Sequence, residues 1–324
     1  VRHAYYDKAL RYARMHGNTN LGGGGILEDV AYVAGQYGIV PESVYPGLNY
    51  GTEQHVHGEL DAVIKAYMDA VISNPNKTLT TAWKEGLNGI LDAYLGKCPE
   101  SFTAPDPRTG SPVTFTPVSY RDALGLKADD YIQFTSFTHH PFYRPFALEI
   151  PDNWNWSLFY NVPLEDLEAV IDASLAAGYA VGWASDVSEK GFVTRQGFAI
   201  LPAQRAEEMS GSDRARWTGL TPQERERMLM APQGPMPEVT VTQQMRQDGF
   251  DNYQTTDDHG MLIVGSAVDQ YGNKFYKVKN SWGEERSFFK GCFYASRAFV
   301  LAKTTGLLVN KITVPQAISG KLDM

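Results

Sequence analysis

Two short segments near the C-terminal end constrain this chain more than any other: Asp258-His259-Gly260-Met261-Leu262-Ile263-Val264-Gly265 and Lys279-Asn280-Ser281-Trp282-Gly283-Glu284-Glu285. The first opens an apolar run, HGMLIVGSAV, and the second closes another, FYKVKNSW, with DQYGNK between them as a turn. Two strands joined by a turn run antiparallel, so the start of one lies beside the end of the other. His259 and Asn280 hold those two ends, and an imidazole beside a carboxamide can hydrogen-bond to it. A histidine held through one ring nitrogen has the other available to serve a nucleophile. Trp282 is placed to cover that bond and keep water from it. A lone histidine in a strand is more often a packing or surface residue. The pairing with Asn280 is what turns the reading towards chemistry.

Upstream of this pair the signals are helical. Residues 3–15 alternate aromatic, Ala and Leu positions with Lys and Arg, as a helix with one buried face does. GNTNLGGGG follows as a loop whose glycines Gly22 to Gly25 leave the backbone bare, then ILEDVAYVAGQYG as an amphipathic helix stopped by Gly38. Residues 59–96 read as helical again, and 97–118 as loop with short strands. NVPLEDLEAVIDASLAAG predicts a helix and YAVGWASDV a buried strand. Residues 203–250 are the most polar stretch and read as a surface insertion with a helical hairpin. The last third, including GCFYASRAFV, carries strand signals. Helices early and strands late predict an α+β chain with two lobes, 1–130 and 131–324.

Composition narrows the function classes. At 324 residues, 43% hydrophobic and 20% charged, the chain can bury a substantial core. A formal charge of -8 argues against nucleic acid or an anionic membrane as the main partner. No apolar run approaches the roughly 20 residues that span a bilayer. Cys98 and Cys292 make neither a disulfide framework nor a CxxC zinc pair, so the compartment stays open. His55, His57, His139 and His140 have no carboxylate or Cys at ligand spacing and read as surface or packing residues, so no metal or other cofactor is expected.

The two C-terminal segments resemble the His and Asn boxes of papain-type cysteine peptidases, with KNSWGEE the most specific string. YLGKCPESFTAPDPRTGSPVTFTPVSYRD and NVPLEDLEAVIDASLAAGYAVGWASDVSEK are similar to stretches of the bleomycin hydrolase/aminopeptidase C branch. The resemblance runs thinly from about residue 18 to 315 and is weakest in the 203–250 insert. It implies a papain-like two-lobed fold with helical insertions. His259 would be the general base, Asn280 its orienter and Trp282 the shield. Gly24 and Gly25 would pair through their backbone with an extended peptide substrate. Asp258, beside the histidine, is assigned to substrate binding.

The resemblance also implies a thiolate at the start of a long helix, in a Gln…Gly-x-Cys-Trp box upstream of the glycine loop. Nothing before Gly22 contains Cys, Gln or Trp, and Cys98 and Cys292 fall on non-catalytic stretches of the family pattern. The expectation is therefore a chain lacking the N-terminal part of its helical lobe and inactive alone. Its partners would be peptide substrate and the missing segment, with homo-oligomerisation open. The family compartment is the cytoplasm, with periplasm or secretion left open. Two alternatives stand beside the peptidase: an inactive papain-fold protein that binds peptides or acts as a scaffold, and an acyltransferase using the same triad. In the family a C-terminal arm blocks one side of the cleft and selects free N-termini. Here Gln316 to Met324 follow Val314-Pro315, a reach of at most about 30 Å, so endopeptidase or mixed activity is expected.

Overall fold

Apolar residues four apart on three helices dictate the first body of structure. The computed structural model describes residues 1–203, 209, 211–230, 236–285 and 287–322, in two units. The first comprises Val1–Tyr131 with Ala147–Ser157, the second Ile132–Phe146 with Leu158–Met324. In the first, α1 (Arg2–Arg14), α2 (Leu27–Tyr37), α3 (Gly58–Ile72) and α4 (Ala82–Leu95) precede a hairpin of β1 (Phe102–Pro105) and β2 (Pro112–Phe115), then α5 (Pro117–Ala123). Tyr5, Ala9 and Tyr12 of α1 pack with Leu60, Ile64 and Met68 of α3 and Leu87, Leu91 and Leu95 of α4. This is the one-face spacing that a 3.6-residue turn requires. Each such leucine-sized side chain contributes about 1.5–3 kcal/mol on burial.

Two expectations are corrected here. Residues 59–96 are not one helical stretch, because Ser73-Asn74-Pro75-Asn76 breaks it: Pro75 has no N–H to give, and Asn74 Oδ1 accepts the Asn76 N–H at 2.9 Å. A single boundary near residue 131 also fails, because residues 147–157 return to the first unit. There Trp154 Nε1 donates to Asp29 at 2.7 Å and Ser157 Oγ to Glu28 at 2.6 Å.

The second unit runs β3 (Tyr131–Thr135), β4 (Pro145–Ala147), β5 (Leu158–Asn161), α6 (Leu164–Ala176), β6 (Val181–Ser185), β7 (Phe192–Val193) and β8 (Phe198–Ala199). It continues with α7 (Gly211–Thr218), α8 (Pro222–Met230), α9 (Gln243–Asp251), β9 (His259–Val268), β10 (Lys274–Lys279), β11 (Cys292–Ser296), α10 (Arg297–Lys303), β12 (Thr304–Asn310) and α11 (Gln316–Ser319). Among the described residues the strands form one sheet, ordered β4-β5-β3-β12-β6-β9-β10-β11-β8-β7. Val181, Trp183, Met261, Ile263, Tyr276 and Val278 from its middle strands are buried in one core with Leu167, Val170 and Ile171 of α6. Ile318 and Leu322 bury in the same core, so the tail is held to this unit through Leu322.

Two further expectations change. GCFYASRAFV is a strand only to Ser296, whose hydroxyl accepts the Phe299 N–H at 3.1 Å and caps α10. The polar 203–250 stretch does give paired helices, α7 and α8, but its end is not surface: in α9, Arg246 and Gln247 are buried. The Arg246 guanidinium lies over the Phe137 ring and donates to the carbonyls of Ser136 (2.6 Å), Leu301 (2.9 Å) and Thr304. Residues 204–208, 210 and 231–235 of that stretch lie outside the described residues.

Candidate active site

In the second unit the sheet register positions a candidate catalytic pair. β6 pairs antiparallel with β9 so that Ser185 faces His259, and β9 pairs with β10, with a register shift between Lys277 and Val278. Asn280 follows directly after β10. The structure brings the two side chains together, His259 Nε2 lying 2.9 Å from Asn280 Oδ1. Asn280 is 8% exposed, and the same oxygen accepts the Ser281 N–H at 2.7 Å. Its own N–H donates to Gly291 O at 2.8 Å. An amide oxygen facing Nε2 selects the tautomer protonated there and leaves Nδ1 as the basic nitrogen.

Trp282 stacks on the imidazole with ring centroids 4.8 Å apart, and Phe192 meets the indole edge-on at 6.0 Å. The indole covers one face of the ring while remaining 52% exposed itself. Asp258 is engaged within the protein: Thr256 Oγ1 donates to one oxygen at 2.7 Å and the Val187 N–H to the other at 3.2 Å. Next to it lies Asp186, which the sequence places directly after the buried YAVGWAS strand. Asp186 is fully buried, accepts from the Ser188 N–H and hydroxyl at 2.7 Å each, and lies 3.5 Å from the Lys303 ammonium. Burial works to raise the Asp186 carboxyl, but the Ser188 bonds, a bond with Asp258 and the Lys303 charge outweigh it and hold the pKa below the usual value. Cys292 pairs with Lys279, on the face of the sheet opposite the Val278–Phe293 pair.

In the first unit the glycine loop is built over a buried lysine. Lys8 of α1 donates to Gly22 O at 2.9 Å and Gly24 O at 2.6 Å, and burial lowers its pKa. Gly24 has φ +87°, and a Cβ there would meet the Asp152 carboxylate at 2.5 Å. Gly25 has φ +155°, and its Cβ would meet Asp29 Oδ2 at 2.7 Å. Both positions therefore favour glycine on conformation, and a side chain there would also require a neighbouring carboxylate to shift. Asp29 is 8% exposed, and its Oδ2 accepts the Ile26 N–H at 2.9 Å and Trp154 Nε1–H. Its Oδ1 has no partner among the described residues, and burial pushes the carboxyl up to about 6. The Gly22–Gly25 loop, Lys8, Asp29, Tyr45 and Cys98 line a cavity of about 710 Å³ in this unit. Lys8, Asp29 and Asp152 carried no signal as a group in the sequence. The Asp three residues after Ile26 was readable only as a helix-start acid.

Residues 238–324 match the Peptidase C1-like family model. Aminopeptidase C of Streptococcus thermophilus is 24% identical over 308 residues, covering 89% of this chain and 62% of the relative. Aminopeptidase W of Lactobacillus delbrueckii subsp. lactis is 25% identical over 315 residues, covering 91% of this chain and 64% of the relative. The chain thus spans a little under two thirds of the length of either curated relative. The crystal structure of PepW from Lactobacillus rhamnosis HN001 superposes with a TM-score of 0.68 at 18% identity, covering 99% of this chain and 71% of that one. The fold is the papain-like α+β fold. Over most of its length the chain is thus similar to proteins named aminopeptidase C and aminopeptidase W, and over its C-terminal part to the Peptidase C1-like family.

Proposed function

We propose that these residues belong to a papain-type cysteine peptidase that removes residues from peptide N-termini. The observation that carries the reading is the 2.9 Å bond between His259 Nε2 and Asn280 Oδ1 beneath the Trp282 ring. His259 Nδ1 takes the proton of a thiol, and Asn280 holds the resulting imidazolium in place. The thiolate attacks the peptide carbonyl carbon, and the imidazolium returns its proton to the departing amine as the C–N bond breaks. Water, deprotonated by the same Nδ1, then releases the acyl group and restores the thiol. Neither Cys98 nor Cys292 takes this part in the proposal; the thiol and the oxyanion donor come from polypeptide outside these 324 residues. The names of the two curated relatives favour action at free N-termini.

The test uses the whole open reading frame that contains these residues, assayed on amino-acid aminocoumarin amides. Iodoacetamide is expected to abolish turnover. His259→Ala should lower it by about a thousandfold or more, while Cys98→Ser and Cys292→Ser leave it in place. Turnover that survives both iodoacetamide and His259→Ala would sink the reading.

A further inference from the structure

Three strand ends meet beside the His259–Asn280 pair. In the sheet order β12-β6-β9, Thr304 pairs with Ser185 and Ser185 pairs with His259. The residue just outside each of these three is charged: Lys303, Asp186 and Asp258. Lys303 is 4% exposed and Asp186 is fully buried. Asp186 and Asp258 lie close enough to bond with each other, so like charges stand side by side where β9 enters the sheet. The Lys303 ammonium opposes them, 3.5 Å from Asp186 Oδ2, and pairs with Glu189 as well.

A second observation concerns the backbone that delivers His259. Gln254 to Asp258 belong to neither helix nor strand, so no ladder holds them. Side chains and loop N–H groups do. Lys303 Nζ donates to Gln254 O and lies 3.4 Å from Thr255 Oγ1. The Thr256 N–H meets Asp186 Oδ2 at 3.4 Å, Thr305 Oγ1 donates to Asp257 at 2.8 Å, and the Val187 N–H donates to Asp258 at 3.2 Å. All five residues are thus tied to the ends of β6 and β12. Lys303 reaches the first two directly and the third through Asp186. Its own carbonyl accepts the Asp186 N–H and the Ser185 hydroxyl at 3.1 Å each. An ammonium brings three N–H donors and a positive charge. A neutral, apolar side chain at 303 would leave a buried carbonyl and a buried carboxylate without that donor.

We propose that Lys303 is a positioning residue for His259: with Asp186 it pins Gln254–Asp258 to the ends of β6 and β12, so that β9 starts with the imidazole facing Asn280. The inference rests on the reading above that this pair does the chemistry. Lys303 acts through the strand and not on the reacting atoms.

The test uses the whole open reading frame and two readouts. One is turnover of an amino-acid aminocoumarin amide, resolved into kcat and KM. The other is the exchange with water of the His259 Nε2 proton shared with Asn280. It is read by NMR on protein carrying 15N-histidine and assigned by its loss in His259→Ala. Lys303→Met should lower kcat about tenfold or more with KM within about twofold, as a misplaced catalytic group does, and speed the exchange about tenfold or more. Asp186→Asn keeps the shape and should shift both readouts the same way; it decides the matter if Lys303→Met does not fold. Ser174→Ala breaks a buried 2.7 Å bond to Thr313 in the same unit and should leave both readouts within about twofold of the parent. Parent-like kcat and exchange in the deciding variant, a loss carried by KM alone, or an equal loss in Ser174→Ala each overturns the proposal. Faster exchange in Lys303→Met of a protein that does not hydrolyse the amide keeps the positioning of His259 and sinks the peptidase reading. Hydrolysis with unchanged exchange does the reverse.

Discussion

Replacing Asp29 by asparagine should stabilise the first unit at neutral pH and change little in acid. Asp29 Oδ2 accepts two N–H groups, an arrangement an asparagine oxygen reproduces, while Oδ1 has no partner among the described residues. Burial is the largest influence on its carboxyl and raises the pKa from 3.8 to about 6, against the bonds from Ile26 and Trp154 and the charge of Lys8. The folded chain therefore binds more protons than the unfolded chain between those values, so stability falls as pH rises from about 4 to about 6. A change of this size costs about 3 kcal/mol once the carboxylate is ionised in the fold. A neutral carboxamide carries no such cost. Urea unfolding followed by tryptophan fluorescence at pH 4.0 and 7.5 measures it. Trp154 is a suitable reporter because its indole donates to Asp29. Asp29→Asn should gain about 2–3 kcal/mol over the parent at pH 7.5 and less than about 1 kcal/mol at pH 4.0. Equal differences at the two pH values, or a loss at pH 7.5, would refute the placement of an ionised, half-partnered carboxylate there.

Two other substitutions test the scaffold. Arg246→Met strands the carbonyls of Ser136, Leu301 and Thr304, each a buried acceptor, and should cost about 4 kcal/mol in urea unfolding followed by near-ultraviolet circular dichroism; a loss below about 1 kcal/mol would show those carbonyls finding other donors. Gly38→Ala drives a Cβ into the Pro117 carbonyl at φ +78° and ψ -167°, backbone that glycine alone adopts freely, and should lower stability by about 3 kcal/mol or more; an unchanged melting temperature would show that α2 does not end as described.

What was legible in the sequence is what depends on neighbours along the chain. The periods of α1, α3 and α4, the Gly38 stop and the β9–β10 hairpin are local patterns. The His259–Asn280 contact followed from hairpin closure, since antiparallel strands return one end to the other. The failures have equally physical causes. Ser73-Asn74-Pro75-Asn76 was legible as a break, but apolar spacing on both sides masked it. RAFV is apolar enough to extend a strand, yet Ser296 ahead of it caps a helix. Arg246 lies in the most polar stretch, where composition says surface, and is buried because backbone carbonyls far away in sequence meet its nitrogens. The grouping of Lys8, Asp29 and Asp152 depends on residues 147–157 returning to the first unit, which no local pattern reports.

Arg246 and Asp29 show how a fully bonded buried charge differs from a half-bonded one. Among the described residues, neither has an opposite charge in direct hydrogen-bond contact, and burial in that state is expensive for either sign. At Arg246 three nitrogens donate to carbonyls, burial lowers its pKa to about 9, and it stays charged at neutral pH. The guanidinium there replaces water as the donor for the C-terminal end of α10, and nothing about it asks for a further partner. Asp29 is bonded through one oxygen, while the other is buried without a hydrogen-bond partner among the described residues. Asparagine would serve the helix start and Trp154 as well as aspartate does, without the penalty at neutral pH.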